Sequence, residues 1–410
     1  MFQKVLGDEN RNYTSKVHLR GLREIESLVT INYELRMMNY FATVARGLET
    51  LAAQELEQLG ANSVEPGFCG VAFEGDRTLL YRVNLWARLP FRILVNIHDF
   101  PCLDAKDLYR GIQTIDWQNY VTPDMTLAVN VTGKNDRLNH SHFTSLQVKN
   151  AIVDQQQEKL GERSNVELHE PDVRINVHIE RDFCTVKLDS SGNSLHRRGY
   201  RPAVGTAPLK ESLASALIQL SGWQPNQMFY DPLCGSGTLP LEASLKALNI
   251  APGLFRDCFG FENWLDFDLP LLEKLLQEAK DSQLDNLTAP IWGSDRDENV
   301  IEQAINNAQN CGVDNHIWFS QMELADVVAP GDSGILLCNP PYGERLGRDS
   351  DLGAFYKLLG DVLKQRFKGW TAFVLSGNKE LSQSIGLKSS QRMAVYNGTI
   401  PCQLMKYELY

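Results

Sequence analysis

No two of the eight cysteines form a Cys-x-x-Cys pair. A zinc site or a disulfide framework usually shows such spacing, so neither is expected, and free thiols fit a reducing cytoplasm. No run of 18 apolar residues occurs, so no membrane span is expected. Met1 to Asn10 contain no apolar stretch and no small-residue cleavage site, so no secretory signal is read there. Basic residues are in the minority, 40 Lys and Arg against 51 Asp and Glu, for a formal charge of −11. A chain of that sign does not coat nucleic acid by bulk charge, although a local basic patch is compatible with it. Internal repeats and low-complexity segments are also absent.

What remains is an ordinary globular composition, with 43% hydrophobic and 22% charged residues over 410 positions. That length allows two to four domains. The charge is uneven. Residues 1–204 hold 24 basic and 26 acidic side chains, and residues 205–410 hold 16 and 25. The near-neutral first half is therefore the better candidate for touching a polyanion. Residues 1–38 have no clean period and read as a poorly ordered extension or the product of an upstream start codon. From Asn39 a strand runs into an amphipathic helix whose Leu48, Leu51, Ala52, Leu56 and Leu59 recur at helical steps. Strands are predicted at Val71–Phe73, Leu127–Val131, Val173–Ile179 and Cys184–Leu188, with helices at Asp76–Leu94 and Ser145–Leu160. This mixture is an α+β pattern.

After Gly205 the pattern changes to apolar strands alternating with helices: Met228–Cys234, Ala289–Asp295, His316–Met322, Gly334–Asn339 and Thr371–Ser376. Such alternation predicts a parallel sheet covered on both faces. Asn397-Gly398 between two strand-like runs is a hairpin signal, so the sheet should finish with antiparallel strands.

Three motifs carry chemistry. The first is Asp231-Pro-Leu-Cys-Gly-Ser-Gly-Thr238, between a predicted strand and a predicted helix, Leu239–Leu248. Gly235 and Gly237 permit a tight turn and close approach of a ligand, and the helix N-terminus favours a negatively charged group. The same residues would also serve as a plain strand-to-helix turn. No Gly-Lys-Ser/Thr follows, so it is not a P-loop. The second motif is Gly293-Ser-Asp-Arg-Asp-Glu-Asn299. Asp295 ends a strand, where a carboxylate accepts hydrogen bonds from ribose hydroxyls, and Asp297 caps the next helix. Residues 251–287 must be inserted between these two strands. The third motif is Asn339-Pro-Pro-Tyr-Gly343. Pro340 and Pro341 stiffen a backbone that offers acceptors and no donors, the Asn339 side-chain oxygen is a second acceptor, and Tyr342 adds a flat face. Two acceptors beside an aromatic ring suit a planar exocyclic amine.

Asp-Pro-x-Cys-Gly-Ser-Gly-Thr followed by Asn-Pro-Pro-Tyr-Gly-Glu-Arg resembles the class I S-adenosylmethionine-dependent amino-methyltransferases. ARGLETLAAQEL, PDVRINVHI, HRRGYRP, APLKESLASALI, APGLFR, NPPYGERLG and NGTIPCQL narrow the resemblance to THUMP-containing RNA guanine-N2-methyltransferases, over about residues 39–410. The resemblance implies an α/β architecture. Residues 39–80 would be a ferredoxin-like subdomain, 81–190 a THUMP RNA-binding domain, 191–204 a linker, and 205–410 a Rossmann-like methyltransferase domain with an antiparallel last strand. A second methyltransferase half, present in bifunctional members, has no counterpart in this sequence.

The resemblance also implies S-adenosyl-L-methionine as cofactor, held by Asp231, Gly235, Gly237, Thr238, Asp295 and Glu323. Asp is more usual than Glu at the last position. Asn339, Pro340, Pro341 and Tyr342 match the catalytic motif. The expected product is N2-methylguanosine, in 23S rRNA or a ribosomal precursor. The alternatives are tRNA, an N6-adenine or protein-glutamine substrate, or a non-catalytic RNA-binding role.

For RNA contact, Arg197, Arg198 and Arg201 form the densest basic cluster, equally readable as a linker paired with local carboxylates. Lys149, with Arg137, His140 and His142, forms a weaker surface. No metal and no membrane partner are expected.

Overall fold

A computed structural model describes residues 37–201, 209–342 and 352–410. The reading of 1–38 as an extension therefore falls almost wholly outside the described residues. The first half runs β1 (Met38–Thr43), α1 (Glu49–Gln58), β2 (Asn62–Gly67), β3 (Gly70–Gly75), α2 (Arg77–Trp86), β4 (Arg92–Pro101), α3 (Ala105–Gln113), β5 (Thr126–Lys134), α4 (Ser141–Leu160), β6 (Asn165–Val166), β7 (Val173–Glu180) and β8 (Phe183–Asp189). Their strands join in one sheet ordered β2-β3-β1-β4-β8-β7-β5-β6. Long β4 pairs with β1 on one side and β8 on the other, so a single sheet runs through both parts of this half.

The helix expected over Asp76–Leu94 stops at Trp86, and Arg92–Pro101 is a strand. Pro90 accounts for the stop, because it pushes the residue before it out of the helical region and offers no N–H itself. Asp76 caps the helix start through its carboxylate and the Leu79 N–H. α4 begins four residues earlier than expected, with His140 Nδ1 accepting from Phe143 N.

The second half runs α5 (Glu211–Leu220), β9 (Phe229–Asp231), α6 (Thr238–Ala247), α7 (Leu269–Asp281), β10 (Ile291–Asp295), α8 (Glu298–Asn310), β11 (Ile317–Gln321), β12 (Ile335–Cys338), α9 (Leu352–Arg366), β13 (Thr371–Ser376), α10 (Lys379–Ser384), β14 (Gln391–Asn397) and β15 (Ile400–Glu408). The sheet order is β11-β10-β9-β12-β13-β15-β14. β9 to β13 are parallel, and β15 enters antiparallel between β13 and β14. The order reverses between β9 and β12, which opens a crevice at their carboxyl ends.

One apolar core crosses from the first half to the second, with Tyr40, Val83 and Leu85 packed in the same cluster as Leu213, Leu217 and Leu245. Within it lies a buried polar network. Arg198 is 1% exposed and faces Glu242 of α6 at 3.4 Å. Glu242 also accepts from Tyr200 Oη at 3.1 Å and from Ser215 Oγ. Arg198 donates to the carbonyls of Leu195 and Arg88, and Arg88 donates to the carbonyl of Ile250. Burial pushes the Glu242 carboxyl up, but Arg198 and Arg88 outweigh it and leave the group below its ordinary value. The Arg256 guanidinium accounts for the path of the connecting segment by donating to the carbonyls of Ser191, Asn193, Ser194 and Arg197.

These positions correct the expectation for the basic cluster. Arg198 lies inside the protein, held by a carboxylate and two carbonyls, and cannot meet a phosphate. Arg201 is also largely buried, with Nη2 at 2.6 Å from Thr238 Oγ1 and 3.6 Å from Glu211. Arg197 alone of the three is exposed.

Removing one partner of a buried ion pair strands the other. Glu242→Ala should therefore destabilise the protein by about 3–5 kcal/mol, whereas joint replacement of Arg198 and Glu242 by Met and Leu should cost far less. Urea denaturation of the two variants checks the contrast.

Candidate active site

β9 ends in the crevice with Asp231, 2% exposed, whose Oδ1 accepts from Leu233 N at 3.1 Å. The glycine-rich turn that follows is tied down on three sides. Cys234 N donates to Ser294 O at 2.9 Å, Gly235 N to Asp295 Oδ2 at 3.0 Å, and Asn307 Nδ2 to Ser236 O at 3.0 Å. Gly235 and Gly237 have φ of +52° and +83°, so the turn needs glycine at both. A Cβ on Gly237 would also sit 3.0 Å from Ala304 Cβ and 3.1 Å from the Phe319 ring. At Gly235 a Cβ would meet nothing within 4 Å, which leaves its outer face open to a ligand.

Asp295 is half-buried and its other oxygen accepts from Asp297 N at 3.1 Å. Asp297 caps α8 by accepting from Asn299 N. Glu323 lies two residues beyond the end of β11 and is exposed. The carboxylates of Asp231, Asp295 and Glu323 thus line the ends of three adjacent strands, which spreads them over roughly 10 Å. Thr238 sits apart from this row: it is buried at the start of α6 and accepts from Arg201.

Across the crevice β12 is fully buried and delivers Asn339 at its carboxyl end. Asn339 Oδ1 is buried and has no hydrogen-bond partner among the described residues. A buried carbonyl oxygen left unpaired costs about 1–3 kcal/mol, so this atom is set to accept from something that arrives. Pro340 is buried beside it, and Pro341 and Tyr342 are half-buried. The Tyr342 hydroxyl accepts from Asn397 Nδ2 at 2.8 Å. Its ring lies against Gly377, where a Cβ would come within 2.8 Å of the ring.

Burial, and then the neighbouring Asp295 charge, push the Asp231 carboxyl well above the usual carboxylate range. Burial also raises the Cys234 and Cys338 thiols well above their ordinary value, Asp231 adding to both. Burial raises Tyr342 as well. These thiols and this phenol stay protonated near neutral pH, so none is a nucleophile or a ready base. Among the described residues no cluster of His, Cys, Asp and Glu is arranged to hold a metal ion, and no helix is long and apolar enough to cross a membrane.

The structure therefore brings Asp231, Gly235, Gly237, Asp295 and Asn339 to one crevice and adds Asn397 and Gly377 as supports for Tyr342. The Asn397 turn was legible only as a hairpin. Its second role depends on a contact 55 positions away. Lys149 lies half-buried on α4, and Arg137 is 3.4 Å from Asp104.

Comparison with known proteins identifies the domains. Residues 198–406 match the RMKL-like methyltransferase domain, 102–189 the THUMP domain, and 39–94 the RlmL ferredoxin-like domain. The chain belongs to the RMKL-like methyltransferase family. The Synechocystis sp. protein slr0064, which carries the name of an RNA methyltransferase, is 58% identical over 90% of this chain and 97% of its own. Ribosomal RNA large subunit methyltransferase K/L of Syntrophotalea carbinolica is 40% identical over 91% of this chain, which spans about half, 54%, of that enzyme. The crystal structure of SMU.472 complexed with SAH superposes with a TM-score of 0.82 at 31% identity, covering 92% of this chain and 99% of that one.

Because Tyr342 is wedged against Gly377, Gly377→Ala should displace the ring. Methyl transfer should fall by up to about 100-fold, the scale set by small misplacements of a reacting group. A transfer assay run beside a thermal melt tests this: the melt should change little.

Proposed function

We propose that the protein transfers a methyl group from S-adenosylmethionine to N2 of guanine in 23S rRNA. The observation that carries this reading is the buried, unpartnered Asn339 Oδ1 at the end of β12, beside the half-buried face of Tyr342. The K/L relatives are named for large-subunit ribosomal RNA, and the first half matches the THUMP domain.

The crevice fits the cofactor chemically. The open face of Gly235 gives a ligand access to the turn, and the three carboxylates suit a long ligand bearing an amine and ribose hydroxyls. Asp231 would hold the amino group, Asp295 the ribose, and Glu323 the adenosine end. Thr238 would act one step back, by fixing Arg201. When bound, the cofactor supplies an electrophilic methyl on a positively charged sulfonium.

Guanine N2 is a poor nucleophile because its lone pair is delocalised into the ring. Asn339 Oδ1 and the Pro340 carbonyl accept its two N–H groups, which favours a pyramidal nitrogen and stabilises the positive charge that develops there. Neither group is a base, so the proton leaves to solvent after transfer. Tyr342 holds the extruded base flat against its ring.

The decisive experiment is labelling of total RNA from a strain lacking the gene, followed by digestion to nucleosides. Label in N2-methylguanosine of 23S rRNA is expected. Label in tRNA alone moves the substrate to tRNA, and methyladenosine or unlabelled RNA overturns the reading. Asn339→Ala should slow transfer by roughly 100–1,000-fold while cofactor affinity, followed by calorimetry, holds within a few-fold.

Asp231 gives a pH signature. Its carboxyl is raised in the free protein, and a cationic amine beside it would lower it again. Binding then releases a proton, so cofactor affinity should weaken as pH falls below the raised value. Asp231→Asn should bind weakly at every pH, with the dependence flattened, in titrations across that range.

A further inference from the structure

Beside the crevice lies a cavity of about 150 Å³ lined by Arg46, Phe91, Lys210, Tyr396 and Gly398, with Ala45 and Leu213 behind them. Two exposed cations face it, Arg46 over two aromatic rings and Lys210 over one. The Arg46 guanidinium is 5.2 Å from the Tyr396 ring centroid and 5.9 Å from that of Phe68, and Lys210 Nζ is 5.3 Å from Phe91. Among the described residues neither cation has a carboxylate within ion-pair distance. For Lys210 this stands out, because its half carries 25 acidic side chains against 16 basic ones. Phe68 is 80% exposed, a large apolar ring held in water.

The arrangement is braced. One Glu49 oxygen accepts from Gly47 N at 2.7 Å and the other from Cys69 N at 3.0 Å, which locks the loop bearing Arg46 to the turn bearing Phe68. Gly47, with φ of +86°, brings that loop against β14: its Cβ would lie 3.4 Å from Ala394 O. The far wall is the β14–β15 turn, where Tyr396 and Gly398 line the cavity and Asn397 between them holds the Tyr342 hydroxyl. The cavity and the catalytic ring therefore share one three-residue support.

We propose that this cleft binds the single-stranded RNA next to the target nucleotide, with Arg46 and Lys210 on its phosphates and Tyr396 and Phe68 stacked on flanking bases. Cations that track a backbone, interleaved with rings that accept any base, are what single-stranded RNA requires. An acidic peptide would use the cations and leave the rings idle. The proposal rests on an RNA substrate, as argued above, and adds the path by which the strand reaches Tyr342.

The test uses the full chain carrying Arg46→Ala and Lys210→Ala together, with a mixed-sequence single-stranded oligoribonucleotide followed by fluorescence anisotropy over a range of salt. Affinity should drop at least tenfold at low salt, and the slope of log K against log salt should flatten by about 1.4, two contacts at about 0.7 each. SAH affinity and the melting temperature should not move. Lys210→Arg and Arg46→Lys should restore the slope, and Tyr396→Ala should weaken binding while keeping it. Unchanged affinity and slope in the double variant overturn the proposal. If wild-type protein labels rRNA and the double variant binds and labels it equally well, the cleft fails while the methyltransferase reading stands. If wild-type protein labels no RNA yet shows the expected salt behaviour, the cleft stands and the guanine reading fails.

Discussion

The Arg198–Glu242 pair sits with both side chains almost fully out of water, at the point where the connecting segment, α2, α5 and α6 meet. Charges in such a place are expensive, and their retention demands partners on every side. Tyr200, Ser215, and the carbonyls of Arg88 and Leu195 supply them. The partners come from three stretches of chain, the loop after α2, the connecting segment and α5, so the pair ties these together. It fixes how the first half meets the second.

That arrangement reaches the crevice through α6. Glu242 lies one turn along from Thr238, and Thr238 accepts from Arg201, which also faces Glu211 at the start of α5. The helix that carries the glycine-rich turn is therefore anchored at its first residue and again at its fifth. The turn itself is stitched to β10 and α8. The positioning groups of the crevice are thus held by hydrogen bonds from several elements, as transfer chemistry asks.

The strands of the second sheet were readable because they are short, apolar and separated by amphipathic helices, and the Asn397-Gly398 hairpin because its turn chemistry is local. The helix predicted over Asp76–Leu94 overruns the first three residues of β4 because apolar residues continue past Pro90, and β2 leaves no signal because Asn62–Gly67 is mostly exposed and carries no alternation. Asp231, Asp295 and Asn339 were recognisable because each stands at the end of a readable strand. For Arg198 and Arg201 the sequence leaves phosphate contact and pairing with carboxylates equally open, and the structure takes the second. Nothing in LHRRGYR tells that Glu242 and Glu211 wait inside to receive them. Asn397 and Gly377, likewise, matter through Tyr342, and no local pattern shows that.

The eight strands of the first sheet form one ladder, and β4 belongs to both of its ends. At β4 the ladder narrows: Arg92–Val95 pair with β1, Leu94–Pro101 pair with β8, and the register shifts between Asn96 and His98. Within the sheet, the β5–β7 end and the Arg46 loop are thus joined through this one strand.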